Sequence, residues 1–393
     1  MLIDITKDVT EAQCDYEYQA PAEIVRQTDT ITEEDMDRAV EMIRNSRKPF
    51  IFVGGGAVIA GASEELVAFA HKIQAPVTDS LMGKGAFDGT DELYTGMIGM
   101  HGTKTSNFGV AECDLLIVVG ARFSDRVVGD SSRFARKAKI LQLDVDPAEI
   151  NKNIRTNASV IGDVKVILRR LNARLDPMNH DEWIAHIERM KDMYPLRYNK
   201  EILTGPYVIE KIYEITEGDA IITTDVGQHQ MWAAQYYKFK KPRTFLSSGG
   251  LGTMGYGLGA AIGGCIANGR KRTVLFTGDG SFGMNLNEMA TAVSQNLPLT
   301  IVVMNNDVLG MVRQWQTIFY DCHYSHTTLD RRTDFPALAE AFGAKGVSAH
   351  TMEELKKALD EADQSDGPVL IDCHIGMDEK VLPMIAPGRS ARD

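Results

Sequence analysis

TGDGSFGMNLNEMATAVSQNLPLTIVVMNNDVLGMVRQW, residues 277–315, follows an apolar strand, Thr273-Val274-Leu275-Phe276, that stops at Gly278-Asp279-Gly280. A helix-like segment leads to a second apolar strand, Leu299 to Met304, which stops at Asn305-Asn306. Two parallel strands joined by a helix bring their C-terminal ends to one edge of a sheet. Asp279 and Asn306, about 27 residues apart, therefore converge. That edge is where open α/β sheets bind ligands. A carboxylate, an amide oxygen and a glycine-rich turn gathered there suit an oxygen-ligated Mg²⁺ carrying a diphosphate.

Working outward, the same β-α pattern runs through a whole second domain. It starts at Pro206, a residue suited to a first helical turn. Strand Ala220–Thr224 ends at Asp225-Val226-Gly227-Gln228-His229. Ser247–Gly255 is glycine-rich, and the small-residue helix 257–267 can press close to the sheet or to a ligand. After Trp315 come a helix at 335–342, strand Lys345–Ala349, helix 352–363 and strand Val369–Cys373. Leu382 to Asp393 has no periodicity.

The first half repeats the scheme. Leu2-Ile3-Asp4-Ile5 reads as a short strand, and residues 6–30 as a linker. Thr32 is an N-cap for a helix with acidic residues in its first turn and Met36, Ala39, Val40 and Ile43 on one face. Strand Phe50–Val53 runs into Gly54-Gly55-Gly56. This is not the G-x-G-x-x-G dinucleotide fingerprint, because Ile59 stands where its last glycine would be. The turn is left either as tight packing or as a backbone that lets a ligand approach closely. Strands Pro76–Thr78, Leu115–Val119 and Ile140–Leu143 follow, so Thr78, Gly120, Arg122 and Asp144 should line one sheet edge. An acidic strand end commonly holds a ribose, and paired arginines suit a phosphate or a carboxylate. The bland alternative for Arg122 and Arg126 is a pair of surface ion pairs. Gly162-Asp163 precedes another amphipathic helix.

Composition narrows the class. At 393 residues there is room for two or three domains. The 44% hydrophobic content suits an α/β protein with ample core. A net charge of −12 without a basic stripe argues against nucleic acid. No apolar run approaches the ~20 residues of a membrane span. The start, MLIDITKDVT, lacks the basic and apolar regions of a signal peptide. Five cysteines without C-x-x-C spacing argue against disulfides and zinc, and a reducing cytoplasm fits.

G-D-G followed after about 25 residues by N-N resembles the cofactor and metal signature of thiamine diphosphate-dependent carboligases and decarboxylases. It stands with QHQMW (228–232), SGGLGTMGYG (248–257), MHG (100–102), GARFSDRV (120–127) and GMVRQWQ (310–316). Together these resemble the catalytic subunit of the FAD-containing, biosynthetic acetolactate synthases, over nearly the whole chain. The resemblance implies two doubly wound parallel-sheet α/β domains. They would be a central FAD-binding domain at 35–175 and a C-terminal diphosphate- and Mg²⁺-binding domain at 206–375. Linkers fall at 16–34 and 176–205 and a tail at 376–393. Residues 1–15 look like the remnant of an N-terminal pyrimidine-binding domain whose remainder is absent.

By the same resemblance, Asp279, the Asn306 side chain and the Val308 carbonyl hold Mg²⁺. Gln228, His229, Gly278, Gly280 and Ser281 surround the diphosphate. The Gly252 carbonyl accepts from the cofactor's amino group, and Met254 wedges it into a bent shape. Met311 and Val312 flank the reaction site. Trp315 resembles the residue that favours 2-ketobutyrate over pyruvate as acceptor. Arg126 resembles the one that grips the acceptor carboxylate, where a guanidinium fork is physically apt. For FAD the matches are Gly54, Gly55, Gly56, Thr78, His101, Gly120, Arg122, Arg126, Asp144 and Asp163, with Arg26 a further match in an irregular segment. Ser124 departs from the commoner acidic residue of this motif. Met254, Met311 and Val312 also read as ordinary core, and Asp279 also reads as a helix cap.

The implied reaction decarboxylates pyruvate and joins the remaining two carbons to a second 2-keto acid, in branched-chain amino acid biosynthesis. FAD does no net redox in this family, and the chemistry belongs to thiamine diphosphate. One step uses a glutamate of the pyrimidine domain, for which this sequence offers no candidate in matching context. The expectation is a chain nearly inactive alone, partnered by a separate pyrimidine domain. A homodimer or higher homo-oligomer and a regulatory small subunit fit the family. The competing readings are a non-catalytic flavin-binding or scaffold fragment, and another thiamine carboligase such as glyoxylate carboligase.

Overall fold

The computed structural model describes residues 5–20, 30–330, 332–386 and 388–390. Arg26 and the first four residues lie outside these. Ile5, the last residue of the expected first strand, is irregular and 65% exposed.

Two six-stranded sheets organise the rest, and every pairing within them is parallel. The first contains β1 (Pro49–Val53), β2 (Val77–Asp79), β3 (Tyr94–Met97), β4 (Leu115–Val119), β5 (Lys139–Asp144) and β6 (Ala158–Ile161). Its order is β3-β2-β1-β4-β5-β6. The chain reverses direction across the sheet between β1 and β4, and such a switch point opens a crevice at the strand C-termini. Strands β1 and β4 are buried at every position because helices cover both faces. Ile51 and Val53 enter one core, with Met36, Leu66 and Ile167. Phe50 and Phe52 enter the other, with Val118 and Trp183. Thr32 caps the helix Glu33–Arg44 by accepting from the Asp35 amide at 3.1 Å, and the four stripe residues of that helix are buried.

The second sheet contains β7 (Ile221–Thr224), β8 (Phe245–Ser247), β9 (Thr273–Gly278), β10 (Leu299–Asn305), β11 (Lys345–Ala349) and β12 (Val369–His374). Its order is β11-β12-β10-β9-β7-β8. Here the switch point lies between β7 and β9, at Asp225 and Gly278-Asp279.

Three strands, β3, β6 and β8, have no counterpart in the sequence reading. Each stands at a sheet edge. An edge strand has one neighbour and a partly exposed face, so it carries no continuous apolar run. The alternating burial of β3 and β6 shows this. The helix Asp181–Met193, within the stretch read as a linker, packs Trp183, Ile187 and Met190 into the first domain's core. The Trp183 indole N–H donates to the Pro49 carbonyl at 2.9 Å.

Among its described residues the segment after β12 has neither helix nor strand, yet it is tied to both domains. Gln228 Nε2 donates to the Glu379 carbonyl at 2.6 Å. The Ile385 amide donates to the Met100 carbonyl at 2.8 Å. Its position is set by individual hydrogen bonds, which leave no periodic trace in sequence.

Candidate functional site

Strands β9 and β10 pair with Gly278 opposite Met304, so Asp279 and Asn306 emerge side by side at the switch-point edge. Both are buried, at 4% and 7% exposure, which is costly for a carboxylate and an amide without polar company. Asp279 opens a short helix, Asp279–Phe282, whose Ser281 hydroxyl reaches the Val226 carbonyl at 3.3 Å. Asn306 Nδ2 donates to Gln228 Oε1 at 3.2 Å, and its Oδ1 accepts from the Val308 amide at 3.3 Å. Gly278 and Gly280 leave the strand end uncluttered: a Cβ at Gly278 would stand 3.2 Å from His229 Nδ1.

His229 is buried, and burial pushes its pKa down to about 4. Its Nε2 has no hydrogen-bond partner. An orphaned ring nitrogen on a neutral imidazole, beside a carboxylate and an amide oxygen, fits a diphosphate held through a hard divalent cation. Asp225 braces this edge from beneath. Its carboxylate accepts from the Gly257 amide at 3.0 Å and from the Thr277 hydroxyl at 2.8 Å.

At the first sheet's switch point, Gly54–Gly56 meet Gly120 and Ala121. The Gly56 amide donates to the Gly120 carbonyl at 2.8 Å. Arg122, in the loop after β4, and Arg126, in the short helix Asp125–Val128 that follows it, are exposed, and among the described residues neither forms an ion pair. The Asp144 carboxyl ends β5, and burial raises its pKa above the ordinary value. His101 is buried with its Nδ1 unpartnered. Glycine backbone, two unpaired guanidinium groups, a carboxyl and an orphaned imidazole nitrogen fit a flavin dinucleotide.

The first sheet's switch-point edge and the second domain's loops, among them Val226 and Gly227 after β7, line one cleft of about 1550 Å³. That exceeds the ~300–1,000 Å³ of a pocket for one drug-sized ligand, so two cofactors can share it. The first domain contributes Gly54–Gly56, His101, Gly120, Arg122, Arg126 and Asp144. The second contributes Gly252, Met254, Met311, Val312 and Trp315. Met82 joins the walls: a Cβ on Gly249 would come 2.4 Å from its sulfur.

Thr78 and Asp163 do not reach the cleft wall. The Thr78 hydroxyl donates to the Gly96 carbonyl at 2.7 Å and ties β2 to β3. Asp163 accepts from the Lys165 and Val166 amides, capping the helix Val164–Arg174. Gln228, His229, Asp279, Ser281, Asn306 and Val308 are not among the residues that line the cleft, although Val226, Gly227, Gln230 and Met231 beside them are.

Sequence reading assigns no role to Gln314, Asp225 or Met82. Gln314 lies inside GMVRQWQ, between Arg313 and Trp315, and nothing in that stretch marks it as the buried position of the helix. For Asp225 the signal is its place at the end of strand Ala220–Thr224, and nothing in the sequence marks Met82.

The two histidines make an acid-stability prediction. Burial, with a smaller push from Arg126, lowers the His101 pKa to about 4, against 6.5 for the free side chain. The unfolded chain therefore binds the proton first. Stability present above pH 6.5 is lost as pH falls towards 4, by roughly 3 kcal/mol for such a shift. Urea midpoints measured from pH 7 to 4 should fall more steeply for this protein than for His101→Gln. Parallel curves would contradict the assignment.

Two parallel-sheet α/β domains, with a buried carboxylate–amide pair at one strand edge and a large cleft lined by both domains, fit a cofactor-dependent enzyme of the thiamine diphosphate class. Residues 36–171 match the family described as thiamine pyrophosphate enzyme, central domain, and residues 225–373 the thiamine pyrophosphate enzyme C-terminal TPP binding domain. The acetolactate synthase large subunit of Cyanidium caldarium is 41% identical over 410 residues, covering 99% of this chain and 69% of that protein. Isozyme 2 of the Escherichia coli (strain K12) enzyme is 41% identical over 392 residues, covering 99% and 71%. A probable acetolactate synthase large subunit of Methanocaldococcus jannaschii is 42% identical over 402 residues, covering 98% and 68%. The chain belongs to the acetolactate synthase large-subunit family, a family of transferases that uses thiamine diphosphate, Mg²⁺ and FAD. No helix among the described residues is long and apolar enough to cross a membrane.

Proposed function

We propose that this chain carries the metal, diphosphate, flavin and acceptor parts of an acetolactate synthase site. The observation that carries the reading is the burial of Asp279 and Asn306 together at the C-terminal ends of the paired strands β9 and β10, next to the β7/β9 switch point. Asp279, Asn306 and the Val308 carbonyl would hold Mg²⁺. Gln228, His229, Gly280 and Ser281 would meet the diphosphate, with His229 Nε2 as a donor. The Gly252 carbonyl and Met254 would seat the rest of the cofactor. Gly54–Gly56, His101, Gly120, Arg122 and Asp144 would hold FAD, with Thr78 and Asp163 bracing that edge from behind. Bound thiamine diphosphate supplies the electron sink for decarboxylating a 2-keto acid and passing on the remaining two carbons.

Within the cleft, Arg126 is the cation placed to pair with the carboxylate of the acceptor, pyruvate or 2-ketobutyrate. Trp315, with Met311 and Val312, forms an apolar wall against the acceptor's alkyl end. Glu149 is the only glutamate lining the cleft among the described residues, and it lies at the flavin-type edge beyond Asp144. The glutamate needed for proton transfer to the pyrimidine is therefore assigned to a pyrimidine-binding domain, either a preceding segment or a separate chain. A homo-oligomer and a regulatory small subunit complete the proposed assembly, in the cytoplasm.

The test is acetolactate formation from pyruvate with Mg²⁺, thiamine diphosphate and FAD. Residues 1–393 alone should run at least about 100-fold slower than with a pyrimidine domain added, the usual scale for a lost acid–base group. Full activity from the chain alone would refute the division of labour. In the complemented enzyme, Trp315→Leu should reduce the preference for 2-ketobutyrate over pyruvate about tenfold, a ratio read from the two products in a mixed-substrate assay. An unchanged ratio would remove Trp315 from acceptor choice.

A further inference from the structure

In the helix Gly310–Phe319 the one fully buried side chain is polar: Gln314, at 2% exposure. Its apolar neighbours Val312 and Ile318 are 48% and 41% exposed. An amide is driven inward at such cost only if its hydrogen bonds are made. Gln314 makes them all. Its Oε1 accepts from the Val381 amide at 2.8 Å and from Gln228 Nε2 at 3.0 Å. Its Nε2 donates to the Val381 carbonyl at 3.0 Å and lies 3.4 Å from Met384 Sδ.

These contacts set the direction of three amides in turn. The Val381 backbone, whose donor and acceptor cannot exchange, fixes which end of Gln314 is oxygen. Gln228 must then present its NH₂ to Gln314 and to the Glu379 carbonyl. Its oxygen is left facing Asn306 Nδ2. Asn306 in turn has its oxygen on the side away from Gln228, where it accepts from the Val308 amide. The orientation of the backbone at Val381 in the C-terminal segment is thus passed through two glutamines to the Asn306 amide.

We propose that Gln314 is a positioning residue. Through Gln228 it aims the Asn306 oxygen at a divalent cation carrying a diphosphate. It also couples that aim to docking of residues 379–382, so that segment docking and cation–diphosphate binding strengthen each other. This rests on the metal reading of Asp279 and Asn306 and deepens it. The coupling is reciprocal by thermodynamic necessity, and outer partners of this kind tune metal affinity by ~10–100-fold.

Lys380 is exposed inside the docked segment, so trypsin reports its release. In the wild-type chain, Mg²⁺ with thiamine diphosphate should slow cleavage after Lys380 about tenfold, followed by mass spectrometry. Gln314→Leu should abolish that protection and weaken Mg²⁺ binding, titrated calorimetrically at saturating thiamine diphosphate, about tenfold. Gln314→Glu keeps both accepting bonds, loses the donations to the Val381 carbonyl and Met384 Sδ, and sets a carboxylate oxygen against that carbonyl. It should hold Mg²⁺ within about threefold of wild type while protection at Lys380 falls. A purely structural role would instead lower Mg²⁺ affinity of both variants in step with their urea midpoints, and that result would overturn the proposal. So would Gln314→Leu with wild-type affinity and wild-type protection. Asp279→Ala, measured in parallel, separates the two levels. If it loses binding and Gln314→Leu does not, the coupling alone falls. If it binds like wild type, or wild type does not bind, the metal reading falls and the coupling with it.

Discussion

Asp279→Asn is expected to weaken Mg²⁺-dependent binding of thiamine diphosphate by at least about 100-fold while leaving the urea midpoint nearly unchanged. The choice of asparagine decides between two roles. Asp279 is the first residue inside the helix Asp279–Phe282, whose N-cap is Gly278. It is therefore not the helix cap that the sequence also allowed, and its carboxylate serves the helix start only through its charge, by ~0.3–1 kcal/mol. Asparagine keeps the side chain's size and polarity and forfeits only that small charge contribution. A loss confined to cofactor binding therefore identifies the carboxylate as a metal ligand, because a hard divalent cation discriminates sharply between an anionic and a neutral oxygen. Isothermal titration with Mg²⁺ and thiamine diphosphate gives the affinity directly. Binding within threefold of the parent would show that Asp279 serves the helix alone, and the proposed metal centre would have to be given up.

The same residue shows why so much of the site is legible in sequence. Asp279 and Asn306 sit at the ends of two continuous apolar runs, and strands buried on both faces advertise themselves as such runs. Parallel connection then forces their ends together, so convergence follows from topology without any contact being seen. Gly54, Gly120, Arg122 and Asp144 follow by the same route, each at the end of a central strand. What stayed illegible has the opposite character. Edge strands β3, β6 and β8 are short and half-covered. Met82 touches Gly249 across the domain boundary, a contact set by how two domains meet. Gln314 and Val381 are joined over 67 positions by an amide and a peptide group, and neither has a pattern that sequence periodicity can detect. Thr78 and Asp163 mark the limit of strand-end logic, since it predicts which edge a residue occupies but not whether its side chain faces the cleft or the neighbouring backbone.

Gly54→Ala should destabilise the first domain by about 3 kcal/mol or more, at the top of the range for overpacked sites. The backbone at Gly54, with φ −117° and ψ −176°, is open to any residue, so conformational freedom is not the reason for glycine there. Space is. A Cβ would stand 2.4 Å from the Gly120 carbonyl oxygen and 2.5 Å from both Cα and Cβ of Ala121. None of these atoms can rotate away, and Gly120, at φ +55°, is itself held in a conformation that other residues resist. Relief would require β1 and β4 to part at Val53 and Val119, their last paired residues, which lies at the switch point where the flavin-type edge opens. Gly55→Ala meets only Met82, at 3.2 Å from its Cβ, and should cost clearly less. Gly250→Ala meets nothing within 4 Å and should stay within about 0.5 kcal/mol of the parent. Urea unfolding of the three variants gives the ranking, and flavin affinity should fall with Gly54→Ala because the same two strand ends form the cradle. Equal midpoints for Gly54→Ala and Gly250→Ala would show that the turn needs glycine for neither packing nor ligand approach. The expected ranking would show that the first thing brought close by this glycine turn is the β4 backbone, and that the cofactor site is built on that contact.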